Sequence, residues 1–213
     1  MNFDTFLKSI SKIENIPLPA EASQFKMSPP FREQLMSQKG DVVKKAKQAG
    51  VLALFYPDSG QQTSLILILR KTYKGVHSAQ VGFPGGKVEK LDNSIMETAI
   101  RETYEEIGVP SKEIEVLKTL TKLYIPPSNF YVHPFLGISR VTPNFIKQDD
   151  EVEDLIEVPL YQFLDDANVI TQVVSTSYKV DVTVPAFKLC DYTVWGATAM
   201  MLSEIKDLLK VML

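Results

Sequence analysis

The sequence has little cysteine, no long apolar run and no excess of basic residues. One of its 213 residues is a cysteine, Cys190, which excludes an internal disulfide and a zinc site built from several cysteines. No apolar run reaches the ~18 residues that span a bilayer, so we expect no membrane role. The formal net charge is −3, and nucleic-acid binders usually carry a basic excess. We therefore expect no nucleic-acid partner.

The beginning of the chain differs from the rest. Residues 2–16 show the spacing of an amphipathic helix, residues 17–30 are proline-interrupted and loop-like, and residues 31–49 form a polar, helix-prone stretch. The first sixteen residues mix acids with apolar residues, which fits neither a secretory signal nor an acid-poor transit peptide. We predict a helical extension over residues 1–45, a main domain over 46–213, and a cytoplasmic location.

Strands and helices alternate in the main domain. Residues 51–56 and 64–69 are β-prone and flank a turn-forming Pro-Asp-Ser-Gly cluster, so we expect an antiparallel pair. A helix over 94–107 ends at a Gly-Val-Pro stop signal. Further strands are predicted at 114–124, 129–141, 171–174, 177–184 and 186–189, with a final helix over 197–211. This interleaving favours an α/β domain with helices on the sheet faces.

The helix over 94–107 carries three glutamates on one face. At ~100° per residue, Glu102, Glu105 and Glu106 fall within roughly a 100° arc. Like charges at these spacings are unfavourable, and acids in the last turn meet the negative end of the helix dipole. Arg101 offsets part of this. A solvated acidic face is one interpretation, and a bound hard cation such as Mg²⁺, which takes oxygen ligands, is the other.

The segment before this helix favours the cation. Gly85 and Gly86 permit a tight turn whose backbone can approach an ion or phosphate closely. Gly86, five residues, Asp92, a spacer, Arg101-Glu102, two residues, Glu105-Glu106, one residue and Gly108 together resemble the Nudix hydrolase signature. Eight residues separate Asp92 from Arg101, where the family usually has a glutamate and seven. These departures resemble the coenzyme A pyrophosphatase branch, and the resemblance covers residues 51–208.

The resemblance implies a fold, a metal and a set of roles. The fold would be a Nudix-like α/β/α sandwich with a mixed β-sheet. Glu102 and Glu106 would bind Mg²⁺ or Mn²⁺, with Glu105 and the Gly86 carbonyl completing the shell. Arg101 would orient Glu105. The acid that activates water differs within the family, and Glu105 or an acid of the later acidic run, Glu151 or Glu153, is the candidate.

The resemblance also implies a small nucleotide substrate. Arg70, Lys74, His77 and Lys87 are the candidate substrate-binding residues, and coenzyme A or its thioesters the leading substrate. Two alternatives stay open: the same chemistry on ADP-ribose or another nucleoside diphosphate derivative, and a non-catalytic module that senses a nucleotide. Homodimers are common in the family, so a homodimer is a further expectation.

Overall fold

The computed structural model describes residues 1–32, 45–71, 80–175 and 181–213. Within these residues the helices are α1 (Phe3–Ile10), α2 (Ala20–Gln24), α3 (Ile95–Ile107), α4 (Leu160–Leu164) and α5 (Gly196–Lys210). Short 3₁₀ turns lie at Ile13–Asn15, Phe25–Met27, Ser111–Glu113 and Asp166–Asn168.

The strands form two sheets. They are β1 (Lys47–Pro57), β2 (Thr63–Arg70), β3 (Val81–Gly82), β4 (Gly85–Lys87), β5 (Glu115–Thr119), β6 (Leu123–Ile125), β7 (Phe130–Ile138), β8 (Val152–Pro159), β9 (Val169–Ser175), β10 (Asp181–Leu189) and β11 (Tyr192–Trp195). The larger sheet runs β3-β2-β1-β7-β5, and β4, β6 and β8 pair with β1, β7 and β2. Strands β1 and β7 are parallel and their other neighbours antiparallel, so the sheet is mixed. The smaller sheet is β11-β10-β9.

Alternate side chains of β1 point into two apolar cores. Leu52, Leu54 and Tyr56 pack on the side of α3, where Ala99 and Ile107 are buried. Their neighbours along the strand pack on the opposite side with α1 and α5. Successive side chains of a strand point to opposite faces, so one sheet separates two helical layers. The predicted α/β/α sandwich with a mixed sheet is confirmed.

The N-terminal residues contribute to the second of these cores. Phe3, Phe6, Ile10 and Ile13 are buried in it, and the Phe3 N–H donates to the Gln61 carbonyl at 2.9 Å. The predicted boundary at residue 45 stays a prediction, although residues on both sides of it share one core. None of the helices in the described part of the chain is long and apolar enough to cross a bilayer.

The structure corrects several element predictions. Residues 17–30, predicted as loop, contain α2 and a 3₁₀ turn. The polar helix predicted up to residue 49 is wrong from Lys47 onward, because that stretch pairs with β7 and β4 as the start of β1. Residues 33–44 lie outside the described residues. The later acidic run, for which we predict no strand, becomes β8 at Val152, which pairs with β2.

Candidate active site

Helix α3 is fixed at both ends by local contacts. At its start, the Ser94 hydroxyl accepts a hydrogen bond from the Glu97 N–H at 3.1 Å, and the Glu97 carboxylate accepts one from the Asn93 N–H. These contacts satisfy N–H groups that the first turn leaves unpaired. At its end, Gly108 adopts a left-handed φ of 76°, which favours glycine. The helix predicted over 94–107 is confirmed, and its length places all three glutamates in the last two turns.

The turn before the helix lies directly against the Glu102 carboxylate. A Cβ atom added to Gly86 would lie 2.4 Å from Glu102 Cδ and 2.5 Å from each carboxylate oxygen. Contacts this short are sterically forbidden, so only glycine permits the observed approach. Strand β4 is held there by pairing with β1, in the register Gly50 to Gly86.

Glu106 is buried at the centre of the site. Its residue surface is 1% exposed, one carboxylate oxygen accepts the Gly85 N–H at 2.8 Å, and the other accepts Arg70 Nη1 at 3.1 Å. The cost of burying the charge exceeds the stabilisation from Arg70 and the Gly85 N–H. The pKa of Glu106 is therefore raised from 4.5 to about 7. A positive charge brought to this carboxylate would offset that cost.

A second charged cluster surrounds Arg101. Its Nε and Nη2 donate to the two oxygens of Asp92 at 2.9 and 3.1 Å. Asp92 also accepts the Glu89 N–H and the Thr98 hydroxyl, both at 2.8 Å. These hydrogen bonds, that of Arg101 above all, hold the pKa of Asp92 far below its usual range. Asp92 therefore holds the Arg101 side chain in place. The sequence pattern gives the position of this acid but not that role.

Arg101 also contacts two of the three glutamates. Its Nη1 lies 3.0 Å from Glu102 Oε1 and 2.8 Å from Glu105 Oε2. The Glu102 side chain is 13% exposed, and its burial raises its pKa although Arg101 opposes this. The Glu105 side chain is 52% exposed. The expected contact between Arg101 and Glu105 is present. That Arg101 orients Glu105 for catalysis stays a prediction.

Glu151 lies near the glutamates of α3, as the later-acid hypothesis requires. Its negative charge contributes to raising the pKa of both Glu102 and Glu106. The residue is exposed, and its backbone carbonyl accepts the Lys71 N–H at 2.9 Å. Glu151 therefore stays the candidate base from this loop, and its role is a prediction.

The predicted substrate-binding residues are only partly described. Arg70 Nη1 donates to Glu106 and, at 3.3 Å, to the Gly85 carbonyl, so the contacts found for it are within the protein. Lys87 is exposed beside Gly86 and its carbonyl accepts Arg101 Nη2 at 3.3 Å. Lys74 and His77 lie outside the described residues. Substrate contact by all four stays a prediction.

The glutamates suit a divalent metal ion in chemistry, although they do not converge. Among the residues that the structure describes, no three acidic, histidine or cysteine side chains lie close enough together to hold a metal ion. The predicted set of Gly86, Glu102, Glu105 and Glu106 is thus not gathered around one point. The donors are nevertheless all hard oxygens. Glu106 is buried with too little compensating charge, and the missing Cβ of Gly86 leaves the Glu102 oxygens beside its backbone. The chemistry of these donors, rather than their arrangement, therefore suits a hard divalent metal ion.

A cavity of about 380 Å³ opens beside the glycine turn. Arg70, Gly85, Gly86 and Lys87 border it on the side of the glutamates. The remaining wall is mostly apolar and comes from five separated parts of the chain: residues 29–32, Ala49 and Val51 of β1, residues 80–83, the β6–β7 region, and residues 195–201. Sequence reasoning missed this cavity because no local pattern reveals which distant segments meet.

Residues 46–175 match the family model described as NUDIX domain. Over 157 residues the chain is 32% identical to "Peroxisomal coenzyme A diphosphatase ndx-8" from Caenorhabditis elegans, covering 73% of this chain and 65% of that protein. It is 38% identical over 119 residues to "Uncharacterized Nudix hydrolase NudL" from Pectobacterium atrosepticum, covering 55% and 60%. The like-named protein of Yersinia enterocolitica is 38% identical over 103 residues, covering 48% and 52%. The chain thus spans between about half and two thirds of these relatives.

Solved structures with similar folds include a MutT/nudix family protein from Enterococcus faecalis, with 17% identity, a TM-score of 0.49, and coverage of 78% of this chain and 62% of that one. Another is a Caenorhabditis elegans Ap4A hydrolase binary complex, with 17% identity, a TM-score of 0.48, and coverage of 77% and 93%.

Proposed function

The chain belongs to the Nudix family, and from that premise we propose that it hydrolyses the diphosphate of coenzyme A or its thioesters with Mg²⁺ or Mn²⁺. The products would be 3′,5′-ADP and 4′-phosphopantetheine, or the acylated form of the latter. The single observation that carries this proposal is the buried Glu106 carboxylate, whose pKa is raised to about 7 beside Glu102 and the Gly86 backbone. Such a carboxylate is costly to the fold and useful for binding a cation.

In this proposal Glu102, Glu105, Glu106 and the Gly86 carbonyl are the groups that would hold a metal ion. A divalent ion bound there would neutralise charge on the diphosphate and activate water. Arg70 positions Glu106 through its 3.1 Å hydrogen bond. Arg101, anchored by Asp92, positions Glu105, and its contacts with two glutamates reduce their mutual repulsion. Either Glu105 or Glu151 takes the proton from the attacking water.

Two observations support coenzyme A rather than another nucleotide. The Caenorhabditis elegans relative, 32% identical over 73% of this chain, is named a coenzyme A diphosphatase. The cavity beside Gly86 also has a charged side and an apolar side, which suits a substrate with a phosphate-rich half and a less polar half. Lys87 at its edge would contact phosphate, as would Lys74 and His77.

Product analysis tests the activity. We expect purified protein with Mg²⁺ or Mn²⁺ to convert coenzyme A to 3′,5′-ADP and 4′-phosphopantetheine, identified by mass. Cleavage of ADP-ribose or a dinucleoside polyphosphate in place of coenzyme A would support the first alternative. Nucleotide binding without cleavage by either metal would support a sensing module.

Glu106→Gln tests the site itself. We expect the variant to stay folded, to lose nearly all hydrolysis, and to lose the rise in melting temperature that Mn²⁺ gives the unmodified protein. Glu14→Gln, which removes an exposed carboxylate on the N-terminal segment, is the matched control and should keep both properties. Turnover by Glu106→Gln at the unmodified rate would overturn the assignment.

The remaining expectations join this proposal. We propose that residues 1–45 extend a hydrolase domain over 46–213, that the protein forms a homodimer, and that it is cytoplasmic, whereas the name of the Caenorhabditis elegans relative places that protein in peroxisomes. Light scattering of the purified protein measures the dimer, and fluorescence microscopy of a tagged chain measures the location.

A further inference from the structure

The backbone of Glu151 is held in place, although the residue is exposed on the acidic run before β8. Its N–H donates to the Gln148 side-chain oxygen at 3.1 Å and to the Gln148 backbone carbonyl at 3.3 Å. Its carbonyl accepts the Lys71 N–H at 2.9 Å. Both backbone polar groups of this exposed residue are therefore paired within the protein, which limits the positions that its carboxylate can reach.

The Gln148 side chain organises the turn that carries Glu151. Its oxygen accepts the N–H groups of both Asp150 and Glu151, and the Gln148 backbone carbonyl accepts the Val152 N–H at 2.9 Å. Side-chain oxygens that accept nearby backbone N–H groups stabilise turns in this way. A hydrocarbon side chain at position 148 would remove this partner from Asp150 and leave the Glu151 N–H with only its 3.3 Å contact.

Gln148 also joins this turn to the elements that hold Glu106. The Gln148 N–H donates to the Glu106 backbone carbonyl on α3 at 3.0 Å. On the other side of the turn, Val152 lies opposite Arg70 in the pairing of β8 with β2, and Arg70 contacts the Glu106 carboxylate. The turn is thus attached both to the helix of Glu106 and to the strand whose arginine contacts it.

The charge of Glu151 acts on two glutamates of α3. Burial is the main cause of the raised pKa of Glu102 and of Glu106, and the negative charge of Glu151 adds to both shifts. Like charges repel, so this placement gives the fold no electrostatic benefit. An acid held beside two carboxylates that suit a metal ion is, however, well placed to accept a proton from water.

We propose that Gln148 is a positioning residue for hydrolysis: its side-chain oxygen fixes the turn of residues 148–151 and thereby keeps the Glu151 carboxylate near the glutamates of α3. The inference rests on the proposed function and assigns the proton transfer to Glu151 rather than to Glu105. The oxygen of the attacking water bonds to one phosphorus atom while the bridging P–O bond breaks, and the electron pair of that bond leaves with the other phosphate. Glu151 accepts the proton that this water releases.

Gln148→Leu tests the role of the side chain, because it removes the oxygen and keeps the backbone N–H that bonds to Glu106. With coenzyme A and Mg²⁺, we expect kcat to fall about 10- to 100-fold, since Glu151 loses its fixed position. KM for coenzyme A should stay unchanged, as should the rise in melting temperature that Mn²⁺ gives. A fall in the Mn²⁺ effect that matches the fall in kcat would count against a positioning role.

Two further variants separate positioning from a general loss of structure. Gln148→Glu, whose carboxylate can accept the same two N–H groups, should recover most of kcat. Asp150→Asn is the matched control, because it changes an exposed side chain of the same turn and keeps the N–H that Gln148 accepts. It should have the kcat of the unmodified protein. A kcat for Gln148→Glu as low as that of Gln148→Leu would contradict the proposal.

A double-mutant cycle with Glu151→Gln tests whether Gln148 acts through Glu151. Glu151→Gln should lower kcat about 10²- to 10⁴-fold, the usual contribution of a positioned base, and adding Gln148→Leu should cause no further loss. Losses that multiply would refute the proposal. So would an unchanged kcat in Glu151→Gln, a result that does not depend on whether Gln148→Leu folds. If the unmodified protein cleaves no diphosphate, the proposed function fails as well, whereas an active protein with unchanged kcat in Gln148→Leu overturns this inference alone.

Discussion

Glu106 should make the metal-free protein less stable as the pH rises. Its pKa in the folded protein is about 7, against an ordinary 4.5, so between these values the folded state holds a proton that the unfolded state has released. The free energy of unfolding therefore falls across this window and levels off above it. At about 1.36 kcal/mol per pKa unit, the total loss is about 3 kcal/mol.

Urea denaturation in EDTA, followed by Trp195 fluorescence, measures this loss. Other groups titrate over the same range, so the informative quantity is the difference between the unmodified protein and Glu106→Gln, which has no charge to gain. We expect Glu106→Gln to become more stable relative to the unmodified protein by about 3 kcal/mol from about pH 4.5 to about pH 8. Adding Mg²⁺ at the upper end of this pH range should restore stability to the unmodified protein but not to Glu106→Gln.

The control is Glu105→Gln, on the same helical turn with a 52% exposed side chain. Because this variant keeps the buried Glu106 carboxylate, it should lose stability across the window as the unmodified protein does. If Glu106→Gln also tracks the unmodified protein at every pH, the burial of an uncompensated carboxylate is refuted.

Three further predictions follow from contacts in and around the site. Gly86→Ala should keep the fold but lose both Mn²⁺ stabilisation and hydrolysis, because the new Cβ would lie 2.4 Å from Glu102 Cδ. The rise in melting temperature on adding Mn²⁺ measures this, and a rise as large as that of the unmodified protein would contradict it. Asp92→Asn should lower the free energy of unfolding by about 1.5–3 kcal/mol, since Arg101 loses the most buried of its three carboxylate partners; urea denaturation measures this, and a change under about 0.5 kcal/mol would be inconsistent with it. Gln24→Ala should lower the free energy of unfolding by about 1–3 kcal/mol, because the buried Glu204 carboxylate of α5 loses a hydrogen-bond donor; urea denaturation measures this, and an unchanged stability would contradict it.

Elements with strong local patterns could be predicted from the sequence. The pair β1–β2 was indicated by β-prone runs around a turn cluster and is confirmed. Helix α3 is predicted from spacing and from its glycine stop, and a final helix is predicted over 197–211; both are present. In each case the signal lies within about twenty consecutive residues, where propensity and periodicity act.

Features that depend on distant contacts could not be predicted. Strand β8 was hidden by its acidic start, because pairing with β2 outweighs the low strand propensity of Glu153 and Asp154. The hydrogen bond from Arg70 to Glu106 joins residues 36 positions apart. The family pattern identified Glu102 and Glu106 as a pair, whereas their burial and the cavity wall follow only from the packed structure.

The separation between the α3 glutamates and the cavity walls has an evolutionary consequence. The glutamates and the glycine turn occupy the central region of the chain, while two walls come from its flanks. Substitutions in the flanks can therefore change the shape of the cavity without changing the residues around Glu106. Related proteins that share this central region can then differ in the ligand that the cavity accepts while they keep the same glutamates.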